Sequence, residues 1–168
     1  MLFSATAKPP VCELQRDRWI IEHQVGSEVV KVNNLAMNQE VYIGNCKKTT
    51  IVLEGKCKTI AIDKCVNSQV VFDSVVSACE LVNCKNIKVE CKGQVPSVSI
   101  DKTDGVTVYL SEEAKGAQLV TSKSSEMNVS FPNADSTDNW AEVPIPEQFV
   151  HKIKDDNTLT SEVSALYS

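Results

Sequence analysis

The stretch VYIGNCKKTTIVLEGKCKTIAIDKCVNSQVVFDSVVSACELVNCKNIKVEC, residues 41–91, carries a period of nineteen. Cys46, Cys65 and Cys84 stand nineteen apart, with Thr103 one step further on. Val41, Ile60, Cys79 and Val98 form a second column, and Ile43, Ile62, Leu81 and Ile100 a third. Ile51, Val70, Val89 and Val108 form a fourth, followed two residues later by Leu53, Phe72, Cys91 and Leu110. Inside each unit apolar residues alternate with polar ones over short runs, such as Val41-Tyr42-Ile43 or Val106-Thr107-Val108-Tyr109-Leu110. Alternation at period two with β-branched enrichment marks half-buried strands. A short unit of strands and turns cannot bury its inner face alone, but stacked units bury a continuous column and pair their backbones in parallel. The expected fold is all-β, a parallel β-helix.

Working outward, the register lengthens to 21 beyond Leu110, pairing Val106 with Met127, Val108 with Val129 and Leu110 with Phe131; the insertion falls at residues 113–116. Upstream, Val30 and Val32 carry the pattern back into a degenerate first unit beginning near Trp19. About six coils result, a stack on the order of 25 Å long at roughly 4.8 Å per coil.

The ends read differently. From Pro132 to Pro146 the composition turns to Asn, Asp, Ser, Thr and Pro, the signature of a surface linker. Phe149 to Ile153 and Leu159 to Leu166 then flank an Asp/Asn turn, a hairpin signal. An isolated hairpin is marginal in water, so it either folds back on its own stack or adds to the edge of a second copy. The expected organisation is a leader at 1–16, extended; a β-helix at 17–135; and a linker with a C-terminal dimerisation hairpin at 136–168.

Composition narrows the function classes. The 168 residues carry 17 basic and 22 acidic side chains, a net charge of −5, which leaves no overall positive field for nucleic acid. No apolar run approaches the roughly 20 residues that span a bilayer, and MLFSATAKPP lacks the apolar core of a secretory signal, so membrane insertion is not expected and a cytoplasmic location is. Seven cysteines, an odd number without CxxC pairs, read as free thiols in a reducing compartment, although stacked coils would bring cysteine Cα atoms within disulfide reach. His23 and His151 have no metal-ligand spacing around them, and neither a GxxxxGK[ST] loop nor a GxSxG elbow is present. No cofactor, metal or catalytic residue is expected; the protein reads as a binding module rather than an enzyme.

Several motifs are more specific: SIDKTDG at 99–105 with YLSEEA after it, KSSEMNV at 123–129, VPIPEQF at 143–149 and the early Arg18-Trp19. In order and spacing they resemble the C-terminal domain of the cyclase-associated proteins, from about Asp17 to the C-terminus. The resemblance implies a right-handed parallel β-helix of the kind shared with tubulin cofactor C, and a homodimer made by exchanging C-terminal strands. It implies binding of monomeric actin, with the ADP form preferred, and promotion of nucleotide exchange that recycles actin monomers. It also implies that cyclase association and filament severing belong to an N-terminal part of longer members, so the expectation is a natural short form or an excised domain.

By the same resemblance the actin-contacting residues are Lys102, Asp104, Lys123, Ser125, Glu126 and Asn128, with the terminal Leu166, Tyr167 and Ser168. Lys102-Thr103-Asp104-Gly105 also suffices as a plain corner turn, with Gly free to take positive φ. The hairpin residues Pro146, Gln148, Phe149, Ile153, Leu159 and Val163 are assigned to the dimer interface. The alternative is a GTPase-activating protein of the tubulin cofactor C type, which inserts an arginine into a phosphoryl-transfer site. The only arginines are Arg16 and Arg18, both expected ahead of the stack, which disfavours it.

Overall fold

The computed structural model describes residues 7–26, 28–134 and 136–167. Its strands in chain order are β1 (Val11–Gln15), β2 (Arg18–Glu22), β3 (Val29–Leu35), β4 (Glu40–Gly44), β5 (Thr50–Asp63), β6 (Val66–Val82), β7 (Lys85–Cys91), β8 (Ser97–Asp101), β9 (Asp104–Leu110), β10 (Gln118–Ser122), β11 (Ser125–Asn133), β12 (Ser136–Pro144), β13 (Phe149–Ile153) and β14 (Leu159–Val163).

Two parallel ladders run the length of the stack. One passes through β2, β4, the second half of β5, the second half of β6, β8 and β10, and gives six coils. The other joins β3 to the first half of β5, then the first half of β6, β7, β9 and β11. The registers reproduce the period: Ile51 pairs with Val70, Val89 with Val108, and Ile60 with Cys79. Val108 then pairs with Val129, and Val30 with Ile51, as the longer outer steps require. The insertion near 113 forms a short 3₁₀ turn at Glu112–Ala114, capped by Ser111, whose Oγ accepts from the Ala114 N–H and donates to the Gly93 carbonyl at 2.6 Å.

The columns read from the sequence are the core. Ile21, Ile43, Ile51, Ile60, Ile62, Leu81 and Ile100 are completely enclosed, and Phe72 is the largest of the buried side chains. A further inward column on the third side of each coil, Cys57, Val75, Val95 and Ala114, does not keep the nineteen step and escapes a search for strict periodicity.

Two boundaries differ from the sequence reading. Part of the supposed leader is β1, antiparallel to β2, so it covers the first coil's edge. The segment read as a linker contains β12, antiparallel to β11 with Val129 opposite Val143 and Phe131 opposite Ala141. Its Asp138, Asn139 and Glu142 are exposed, while Ile145 packs against the core. Arg18 also sits differently: it lies in β2, within the first coil, with its guanidinium 5.1 Å above the Tyr42 ring. The β1–β2 hairpin draws it into the stack, at the end away from the middle coils.

Candidate functional site

Coils two to six turn the same corner between their two ladders, and the backbone pays for the tightness with left-handed residues on both sides of one small side chain. Asn45, Lys64, Asn83, Lys102 and Lys123 precede the corner with φ of 52°, 53°, 54°, 47° and 49°. Lys48, Asn67, Asn86, Gly105 and Glu126 follow it with φ of 51°, 50°, 54°, 83° and 52°. Asn tolerates this region and Gly accepts it freely, while each lysine and the glutamate carries a local steric penalty of roughly 1 kcal/mol.

Between these residues points the inward column Cys46, Cys65, Cys84, Thr103 and Ser124. Each donates to the carbonyl two residues back: Cys46 Sγ to Gly44 O at 3.4 Å, Cys65 to Asp63 O at 3.4 Å and Cys84 to Val82 O at 3.4 Å. Thr103 Oγ1 does the same to Asp101 O at 3.0 Å and Ser124 Oγ to Ser122 O at 2.8 Å. A small donor is therefore what the column selects, and hydroxyls replace thiols in the last two coils. All seven cysteines are free, and only Cys12 is exposed. Burial pushes Cys57 and Cys91 up to about 11 and raises Cys79 and Cys84, while a hydrogen bond with Cys46, with burial second, raises Cys65. Protonated and enclosed, these thiols are packing groups rather than nucleophiles.

The outer side of the corner carries the residues assigned by resemblance. Lys102, Asp104, Lys123 and Glu126 are exposed, and Ser125 is half-buried. They gather in the last two coils, where Asp104 and Ser125 are register partners and Ser125 Oγ donates to Asp104 Oδ1 at 2.8 Å. Lys85, Lys102, Asp104, Lys123 and Ser125 line one groove. Glu126 is fixed from the other side: its backbone N–H donates to Glu147 Oε2 at 2.6 Å, which ties the 143–149 motif to the 123–129 motif. Asn128 stands apart, further along β11, between Thr107 of β9 and Pro144 of β12.

Leu166 is 82% exposed in a short 3₁₀ turn at Ala165–Tyr167; Ser168 lies outside the described residues. The hairpin of β13 and β14 forms its own two-stranded sheet, with Phe149 opposite Val163 and Ile153 opposite Leu159. Phe149, Ile153, Leu159 and Val163 are 48, 78, 65 and 44% exposed; Gln148 is exposed too, with its carbonyl accepting from the Ser164 N–H, and Pro146 is half-buried. Phe149 is therefore left about half exposed within a single chain.

A feature that the sequence reading passed over lies on the outer face of the second ladder. Trp140 of β12 tilts against Tyr109 at 6.5 Å between ring centres, beside Lys88, Glu90 and Ser130. The alternation of Ala141, Val143 and Ile145 after Trp140 is the signal that would have placed it on a strand. Among the described residues no cluster of His, Cys, Asp and Glu could hold a metal, and no helix is long and apolar enough to cross a membrane.

Comparison with known proteins agrees with this architecture. Residues 8–166 match the family described as adenylate cyclase associated (CAP) C terminal. The chain is 34% identical over 160 residues to the adenylyl cyclase-associated protein of Schizosaccharomyces pombe, covering 95% of this chain and 29% of that one. It is 40% identical over 163 residues to cyclase-associated protein 1 of Arabidopsis thaliana, covering 96% and 34%. The chain thus spans about a third of the length of these relatives. The crystal structure of a cyclase-associated protein from Cryptosporidium parvum superposes with a TM-score of 0.88 at 35% identity, over 94% of this chain and 96% of that one. With its period, coil count and motifs all in agreement, the chain belongs to the cyclase-associated protein family, as a member of its C-terminal β-helical domain.

Proposed function

We propose that this chain binds monomeric actin, prefers the ADP-loaded form and promotes exchange of its nucleotide, acting in the cytoplasm on the turnover of actin filaments. The observation that carries this reading is the convergence of Lys102, Asp104, Lys123, Ser125 and Glu126, from two separate sequence motifs, on one edge of the last two coils. Two fixed hydrogen bonds preorganise that edge, which lowers the ordering cost of binding. No bond-making group is needed. A partner that prefers an opened nucleotide cleft lowers nucleotide affinity by the same coupling free energy with which it favours that state. A coupling of about 1–3 kcal/mol corresponds to roughly 5- to 150-fold weaker nucleotide affinity.

The working unit is a strand-exchanged homodimer. β13 and β14 expose an apolar hairpin, and among the described residues β10 pairs with β8 alone, leaving its other edge open. Unpaired edges and unpaired hairpins are complementary liabilities, and a second copy resolves both by a two-fold exchange. Association with an adenylyl cyclase, which the names of the relatives record, is not assigned to this stretch. A GTPase-activating role is disfavoured because Arg18 is held over Tyr42 and no middle coil offers an arginine. Equilibrium binding to fluorescent ADP-actin tests the reading: the Lys102→Ala/Lys123→Ala pair should weaken it about tenfold, or about 1.4 kcal/mol. Unchanged affinity would remove the edge from the interface.

A further inference from the structure

The edge described above uses only the last two coils of the corner, yet lysines occupy the same corner in the coils before it. Lys47 and Lys48 stand in the second coil, Lys64 in the third, Lys85 in the fourth, Lys102 in the fifth and Lys123 in the sixth, all exposed. None of them forms an ion pair with another described residue, whereas Lys31, Lys58 and Lys115 each do. Neighbouring coils lie about 4.8 Å apart, less than a Debye length of about 8–10 Å, so lysines on successive coils repel one another with little screening. Lys64, Lys102 and Lys123 precede the inward residue of their coils and Lys47, Lys48 and Lys85 follow it, so an acidic protein gathers unpaired lysines on both sides of one corner and presents there a local field opposite to its net charge of −5.

The strip is grooved. On the side of the second ladder Lys48, Asn67, Gln69, Asn86 and Lys88 line a polar concavity that contains no carboxylate. Its floor is rigid, since Asn86 Nδ2 donates to Asn67 Oδ1 at 2.7 Å across the coils. On the other side lies the groove of Lys85, Lys102 and Lys123, whose one carboxylate, Asp104, already accepts from Ser125.

We propose that this corner is a docking surface for an extended acidic segment of another protein, lying across the coils with its carboxylates against the corner lysines. Charge complementarity selects an anion, and the width of the strip selects its form. Asp63 and Asp101 flank the corner in the first ladder and Glu90 in the second, and Glu126 closes it in the last coil, so a lipid surface or a nucleic-acid duplex, both wide, would be pressed onto carboxylates. A single extended chain avoids them. Its like-facing side chains repeat at roughly 6.8 Å, a step that flexible lysines on coils about 4.8 Å apart can meet. Asparagine and glutamine amides beside the lysines offer donors and acceptors to its backbone. The surface overlaps the proposed actin edge at Lys102 and Lys123 and reaches beyond it, so the test uses lysines outside that edge.

The experiment measures anisotropy of a fluorescein-labelled oligoglutamate of about ten residues, long enough when extended to span the stack. It is titrated with the whole chain at about 25 mM and about 150 mM salt. Binding should weaken with salt, fall about tenfold in Lys48→Glu/Lys88→Glu and fall less in Lys48→Gln/Lys88→Gln, whose neutral side chains guard against misfolding. Lys56→Glu/Lys92→Glu, the same charge change elsewhere on the stack, should alter it by less than about twofold. Equal loss in that control, or no binding at low salt, would overturn the proposal. So would binding to vesicles containing phosphatidylserine in place of the peptide. Actin binding, measured in parallel, separates the two readings: loss of oligoglutamate binding in Lys48→Gln/Lys88→Gln with actin affinity kept leaves the actin edge standing, and the reverse leaves this surface standing.

Discussion

At the scale of single residues, the inward columns carry the stability and the corner column carries the shape. Phe72 is buried to 1% with Leu53 and Cys91 as its column neighbours, so Phe72→Ala should destabilise the fold by about 3–5 kcal/mol in denaturant unfolding. The thiols make a second prediction. Burial raises Cys57 and Cys91 to about 11 and Cys79 further, whereas unfolded cysteines ionise near 9. Above that value the unfolded chain has lost protons that the folded chain still holds, so this contribution is complete below pH 9 and is lost as pH rises towards 11. Unfolding midpoints followed from pH 7 upward should start to fall near pH 9, and the fall should be shallower in Cys57→Ala than in the parent. Native thiol labelling should modify Cys12 and spare the other six until denaturant is added. The columns were legible because identical chemistry recurred at a fixed step. Two things hid from that search. Ser124 belongs to the Cys46 column but sits 21 residues after Thr103, and Cys57, Val75, Val95 and Ala114 wander by a residue from coil to coil because the β5–β6 ladder shifts register on both sides of Cys57.

At the scale of elements, the parallel ladders and the hairpin were readable from alternation, whereas β12 was not. Its first half is rich in Ser, Asp and Asn and it lies between prolines, a composition that ordinarily means loop. Backbone pairing to β11 overrides that composition, because it covers an edge that would otherwise stay open, and only the half-buried Ala141 and Ile145 record the inward face. The hairpin makes a prediction of its own. Phe149 and Val163 are cross-strand partners, 48% and 44% exposed, and Phe149→Asp/Val163→Asp should leave the β-helix folded while abolishing self-association. Light scattering should give twice the 18.4 kDa chain mass for the parent and the chain mass for the variant. A parent that stays monomeric at micromolar concentration would contradict strand exchange.

At the scale of the whole molecule, the stack is a rigid wall whose two ends are treated differently. β1 covers the first coil on one ladder and β12 the last coil on the other, while among the described residues β10 keeps an open edge and the hairpin pairs with no other strand. The proposed actin edge sits at this same end, so exchange of hairpins would bring two such edges into one particle. A dimer could then hold two actin monomers. Periodicity reveals where such an edge is, because it tells which side chains face outward at the corner. It does not reveal the partner, since Lys102, Asp104 and Glu126 also serve as ordinary corner residues; that assignment came from the spacing of motifs shared with a family. The measurement that bears most directly on it is release of fluorescent nucleotide from ADP-actin as this protein is added to saturation. Release should accelerate several-fold or more with the parent and return towards the unassisted rate with Lys102→Ala/Lys123→Ala. An unchanged rate at saturation, with binding shown separately, would contradict the exchange function, and no binding at all would contradict the role in actin turnover.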